Sequence, residues 1–181
     1  MLTLCSFAAE PGRVTVESAW SAESLQLAFT WADLAAPLHL PMPAAMPQRR
    51  DGLWQASCAE LFVGLGGSEY LEFNFSPSGD WAAYRFDAPR RGMRAHEWSG
   101  ESSPQISTQQ HGAEHYRILV ELPRAALTVD GVEVSARDHA VGYASVIETS
   151  VGFSYWALAH YAAQPDFHDR RSFSARLGNL S

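Results

Sequence analysis

The stretch YLEFNFSPSGDWAAYRF, Tyr70 to Phe86, alternates between residue classes at almost every step on either side of a Ser-Pro-Ser-Gly turn. A period of two puts successive side chains on opposite faces of an extended chain, and an α-helix cannot gather such a pattern into one apolar stripe. The stretch therefore predicts two strands. The turn is too short for a crossover, so the strands are adjacent and antiparallel. The same alternation recurs along most of the chain. RVTVESAW and SLQLAFTW read as early strands, CAELFVGL turns Ala59, Leu61 and Val63 to one face and Glu60 and Phe62 to the other, and EHYRILVEL turns Tyr116, Ile118, Val120 and Leu122 inward with Arg117 outward. AVGYASVIETS, FSYWALAHY and RSFSARL read as the last strands.

Two segments interrupt the alternation. Four prolines between Pro37 and Pro47 forbid a central strand and predict an extended loop ending at Trp54. The polar, Gly- and Pro-bearing stretch from Asp87 to Gln105 predicts another loop. PRAAL, from Pro123, predicts a single helical turn. Eight to ten short strands with turns between them point to an all-β antiparallel sandwich of the immunoglobulin-like or jelly-roll type. With 181 residues, 46% of them hydrophobic, residues 1–181 are expected to form a single domain with one core.

Charge and cysteine usage narrow the function. The net charge is −7, and all thirteen basic residues are arginines scattered without a basic run, so neither nucleic acid nor an anionic membrane surface is an expected partner. Cys5 and Cys58 are too few and too far apart to frame a metal site or a disulfide scaffold. The first residues, MLTLCSFAAEPGR, lack the basic and apolar regions of a signal peptide, and the expected compartment is the cytoplasm. No cofactor is expected.

Within the opening stretch, Leu71, Phe73 and Phe75 point inward, leaving Glu72 and Asn74 outward. The second strand is read with Ala82, Tyr84 and Phe86 inward and Arg85 outward. Glu60, Glu72, Asn74 and Arg85 would then share one face of three consecutive strands. Carboxylate, carboxamide and guanidinium groups together can accept from and donate to vicinal hydroxyls, and an indole can stack on the apolar face of a sugar ring. The alternative is a solvated polar lattice in which Glu–Arg pairs contribute little.

The motifs DGLWQASCAELFVG, YLEFNFSPSGDWAAYRF, SYWALAHY and PDFHDRRSF resemble the DOMON-like domains of the type of the family 9 carbohydrate-binding modules, over roughly positions 10 to 178. The resemblance implies a small bacterial stand-alone sandwich that binds a small ligand, in relatives a sugar held between two aromatic rings and hydrogen-bonded by a Glu and an Arg. It places Trp54 at the first aromatic position, Glu60 at the acidic one and Arg85 at the basic one. The second aromatic is a Trp in the family, whereas here the matching region offers Phe167 and His168, with Trp156 as a further choice. Arg117 and His160 complete the candidate ligand contacts.

The expected function is non-enzymatic binding of a sugar or sugar-like polyol. The alternatives are a protein-interaction or scaffold module using the same face, and a glycoside hydrolase working through Glu60 and Glu72. An arginine beside both carboxylates would keep them ionised and leave no acid for hydrolysis. His160, Asp166, His168 and Asp169 could offer nitrogen and oxygen to a metal, and Met93 with His160 could flank a haem, but neither set has a recognised ligand spacing. Trp81 and Trp156 are expected in the core.

Overall fold

A computed structural model describes residues 1–100, 102–112, 115–134 and 139–177. The alternating segments are strands: β1 (Leu2–Ser6), β2 (Arg13–Trp20), β3 (Ser24–Ala32), β4 (Cys58–Gly66), β5 (Glu69–Phe75), β6 (Trp81–Phe86), β7 (Arg94–Ala95), β8 (Gln105–His111), β9 (His115–Pro123), β10 (Thr128–Val129), β11 (Val132–Glu133), β12 (Ala140–Thr149), β13 (Gly152–Ala157) and β14 (Ala175–Arg176). Ten of these have five residues or more. No α-helix occurs among the described residues, only three 3-10 turns at Leu53–Gln55, Arg124–Leu127 and Arg170–Ser172. None of these is long and apolar enough to cross a membrane.

Twelve strands form one continuous antiparallel sheet in the order β7-β6-β5-β4-β12-β13-β1-β2-β3-β9-β8, with β14 paired to β12 and a separate β10–β11 hairpin. The sheet curls over on itself through β1. Leu2 to Leu4 pair with β2, whereas Cys5 and Ser6 pair with β13, so a single strand joins the two halves. Side chains of the two halves meet inside. Phe29 of β3 lies edge-on to Tyr143 of β12, the Trp31 indole donates to Ser145 Oγ at 3.1 Å, and the Tyr143 hydroxyl donates to Ser18 Oγ at 3.3 Å. Leu61, Val63, Leu71, Phe73, Phe75, Ile118 and Val120 fill the space between, with Trp156 and Trp81 buried at its margins. The result is a half-barrel that packs like a sandwich, each buried leucine or phenylalanine contributing about 1.5–3 kcal/mol of apolar burial.

In the half built from β4, β5, β6, β12 and β13, the first four strands are buried on both faces along most of their length. Its outer face carries a second apolar cluster of Phe62, Tyr70, Ala82, Tyr84, Phe86, Ala144, Ala157 and Phe173, against which Leu53 and Phe167 pack. This face is therefore no open polar lattice. Two loops cover it, one ending in the 3-10 turn that bears Trp54 and the other running from Leu158 to Ser174.

Several details differ from the sequence expectations. The short β1 and β8 escape the alternation reading. Pro123 ends β9 and precedes the 3-10 turn instead of opening it. RSFSARL yields a 3-10 turn and then only the two-residue β14. On β6 the facing is inverted: Glu72 pairs with Tyr84 and Leu71 with Arg85, so Ala82, Tyr84 and Phe86 share the outer face with Glu72, and Arg85 does not. Five residues, Ser76 to Asp80, separate the paired Phe75 and Trp81, and that loop length sets which side each β6 residue takes.

Candidate functional site

Cross-strand register assembles the site. One transverse row on the outer face runs Ala82, Asn74, Glu60, Ala144, Ala157, each directly opposite the next. The alanines are short, so the row is depressed around Glu60. The neighbouring row brings Tyr84, Glu72 and Phe62 together, and on the far side Cys58, Val146 and Tyr155 line up. The depression is a cavity of about 370 Å³ walled by Trp54, Phe86, Met93, Tyr155 and Phe167, with Glu60, Glu72, Arg90 and His168 as its polar groups. Its size lies at the lower end of the range typical of small-ligand sites, about 300–1,000 Å³. A larger groove of about 860 Å³ runs along the other half of the sheet over Gln26, Ala28, Ser107 and Leu119, and contains none of the predicted residues.

The two carboxyls differ in how they are held. Glu72 is 4% exposed; its Oε1 accepts from Asn74 Nδ2 at 2.7 Å, and its Oε2 has no hydrogen-bond partner among the described residues. Asn74 is fully buried, and its Oδ1 accepts a weak bond from the Cys58 thiol at 3.6 Å. Burial pushes the Glu72 carboxyl up to about 7, opposed by the Asn74 hydrogen bond and the Arg90 charge. Glu60, 3% exposed, is raised well above the ordinary carboxylate range, first by burial and then by the charge of Glu72, with Arg90 opposing. The pair therefore keeps a proton where solvated carboxyls have lost theirs. Burial also holds the Cys58 thiol protonated.

A polar clasp joins the loops above this floor. Arg90 adopts a left-handed backbone conformation with φ of 58°, and its amide donates to the Tyr70 hydroxyl at 3.3 Å. Its guanidinium donates to Asp166 Oδ1 from Nη2 at 2.9 Å and Nε at 3.2 Å, and the same oxygen accepts from the His168 amide. The Tyr70 hydroxyl lies 2.7 Å from His168 Nδ1. Burial, and next the Arg90 charge, hold His168 down to about 4, so the ring is neutral at pH 7. His168 Nδ1 is also 3.8 Å from Glu72 Oε2, but with a neutral ring this is a polar contact and not an ion pair. Burial raises the Tyr70 hydroxyl to about 12, which keeps it a donor.

The structure thus brings Trp54, Glu60, Glu72, Phe167 and His168 to one cavity, with Asn74 just beneath its floor. Trp54 is 37% exposed, the most exposed of the six indoles, and lies edge-on to Tyr84 at 5.8 Å. His160 stands behind Phe167 at 6.3 Å, with Nε2 hydrogen-bonded to the Cys5 carbonyl. Arg85 is elsewhere: it donates to Glu69 at 2.9 Å and to Asp130 at 3.2 Å on the opposite side of β6. Arg117 lies on β9, in the other half of the sheet, 3.7 Å from Glu17. The expectation that Arg85 holds the two glutamates ionised is overturned, because the guanidinium beside them is Arg90 and both carboxyls are raised.

Sequence reasoning missed Arg90 and Tyr155, and weighed Met93 only beside a haem, whereas it lines the cavity. Arg90 sits in a loop without periodicity, and only its position two residues before Gly92 hinted at a tight turn. The four residues weighed as metal ligands have separate partners: His160 holds Cys5, Asp166 holds Arg90, His168 meets Tyr70, and Asp169 caps the 3-10 turn and pairs with Arg171. Among the described residues no group of three or more His, Cys, Asp or Glu is placed to hold a metal.

No protein-family model matches this chain, and no curated protein matches it. Among solved structures it is similar to that of a "putative carbohydrate-binding protein" from Bacteroides uniformis, with a TM-score of 0.58 and 14% identity over 90% of this chain and 77% of the other. At that identity the likeness is one of fold: both chains build the same kind of antiparallel β architecture.

Proposed function

We propose that the chain is a single DOMON-like jelly-roll domain that binds, without catalysis, a small sugar or sugar-like polyol in the cavity over β4 and β5. The observation that carries this reading is the buried Glu72 in the lining of a cavity whose rim bears the most exposed indole of the molecule, its Oε2 without a hydrogen-bond partner among the described residues. A buried acceptor without a partner costs about 1–3 kcal/mol, and a ligand hydroxyl that donates to it recovers that cost. Glu60, beside it, can accept from or donate to the neighbouring hydroxyl. Trp54 on one side and Phe167 or Tyr155 on the other offer the flat apolar walls that a pyranose ring requires. The Bacteroides protein of the same fold is also named for carbohydrate binding.

A concave site with one exposed indole favours a small ligand over a flat protein partner. Hydrolysis stands as the second reading, because the raised Glu60 and Glu72 supply the protonated acid it needs. Calorimetric titration against a panel of mono- and disaccharides tests the proposal, with chromatography of the same mixtures as the check on hydrolysis. Saturable binding that Trp54→Ala abolishes, with the sugars recovered intact, is the expected result. Binding unchanged in Trp54→Ala would refute the site, and cleaved disaccharide would make the protein an enzyme.

A further inference from the structure

The polar floor of the cavity is acidic, and the guanidinium that the described residues bring to it is already engaged. Glu60 and Glu72 lie on adjacent strands, where Asn74 sits opposite Glu60 and donates to Glu72. Arg90 reaches the cavity but spends Nε and Nη2 on Asp166, and no hydrogen bond from Arg90 to either glutamate occurs among the described residues. Glu72 Oε2 is buried without a hydrogen-bond partner among the described residues, and Trp54, Phe86, Tyr155 and Phe167 stand in the walls. We infer that the site selects a sugar bearing a free amino group, whose ammonium donates to Glu72 and Glu60 while its ring lies against Trp54. This rests on the sugar-binding reading above and names the class of sugar.

The physical argument is one of charge compensation. Two buried carboxyls a strand apart cannot both ionise cheaply without a cation. Burial raises both carboxyls, so without a further cation the pair retains a proton. An ammonium brings the missing charge, offers three donors to the free carboxyl oxygens and displaces that proton. Aromatic faces nearby add attraction for a cation that no neutral hydroxyl receives. The other groups around the pair do not compete: His168 is neutral, the Tyr70 and Tyr84 hydroxyls and the Cys58 thiol stay protonated, and Arg90 faces Asp166. A protein of net charge −7 also draws cations toward its surface.

The test is calorimetry of the full chain at pH 6.5 with D-glucosamine, D-galactosamine and D-mannosamine, each beside its parent hexose and its N-acetyl derivative, in two buffers of different ionisation enthalpy. At least one amino sugar should bind about tenfold to a hundredfold more tightly than its parent and its N-acetyl form, the range expected for a charged hydrogen bond. Its binding should release protons, so that the apparent enthalpy differs between buffers. Glu72→Gln keeps the shape and the Asn74 partner, and should erase the preference, bringing the amino sugar down to the affinity that the same variant shows for the parent hexose, and reduce the proton release. A parent hexose that binds as tightly as its amine, without proton release, overturns this inference and leaves the sugar-binding reading standing. No binding by any sugar of the set or of a wider panel overturns both.

Discussion

Asn74 donates to one oxygen of Glu72 at 2.7 Å and leaves the other, Oε2, buried without a hydrogen-bond partner among the described residues. The carboxyl is thus positioned by the fold but only half satisfied by it, and this has a consequence for stability. Glu72 titrates near 7 in the folded chain, against 4.5 when solvated. Between those values the folded state holds the extra proton, so the contribution of this group is fully present below pH 4.5 and is lost as pH rises through 7. Glu72→Gln should therefore gain stability over the parent protein as pH rises from 5 to 8, by up to about 3 kcal/mol. Urea unfolding at several pH values measures it, and a difference independent of pH would contradict it.

His168 acts with the opposite sign. Its folded value near 4 lies below the ordinary 6.5, so between those values the unfolded chain holds the extra proton. Its contribution is present above pH 6.5 and is lost as pH falls through 4. Glu60 and Glu72 add a slope of opposite sign, so the test is the difference between two proteins: the stability advantage of the parent over His168→Gln should grow as pH rises from 4 to 6.5. A difference independent of pH would show His168 to be solvated.

Trp54 lies on a 3-10 turn, more than a third exposed, with Tyr84 as its aromatic neighbour. Trp54→Ala should cost about 1–2 kcal/mol, well below the 3–5 kcal/mol of a core aromatic truncation. For a domain of this size that corresponds to a fall of about 2–4 °C in melting temperature per kcal/mol. Collapse of the fold would show the indole to be a core residue and would return the leading place to the interaction-module reading.

Arg85 and the glutamates now stand on different sides of β6. Arg85→Ala should leave ligand affinity within about twofold and cost no more than about 1 kcal/mol, as expected of ion pairs to the exposed Glu69 and Asp130. A large loss of affinity, read by calorimetry, would contradict the register described for β5 and β6.

The sequence was most informative where one face is apolar and the other is not. Leu61 and Val63 against Glu60, and Leu71 and Phe73 against Glu72, declare their sides, and the structure places them so. On β6 the signal fails because Ala82, Ala83 and Tyr84 are all buried, so burial no longer alternates, and facing depends on the length of the Ser76–Asp80 loop. Arg117 alternates correctly on β9 but belongs to the other half of the curled sheet, a separation that only long-range pairing through β1 determines. Arg90 owes its place to a left-handed loop and to Asp166, 76 positions away in sequence. No local pattern encodes such a contact.

Gly142 faces Phe62 across the β12–β4 pair, and a Cβ added there would come within 2.8 Å of Phe173 Cδ1. Phe173 packs on Phe62 and Tyr70 and anchors the loop that carries Phe167 and His168. Gly142→Ala should cost about 1–3 kcal/mol by overpacking and should weaken ligand binding as that loop shifts. Unchanged melting and affinity would show that Phe173 can move aside freely.

Whether the cavity over Glu60 and Glu72 is a sugar site is decided by a crystal structure of the chain with the tightest-binding sugar of a broad glycan array. The expected result is a sugar ring against Trp54 with a hydroxyl or amino group within hydrogen-bond distance of Glu72 Oε2, and Phe167 on the opposite side. A sugar seated outside this cavity, or an array on which nothing binds, would contradict it.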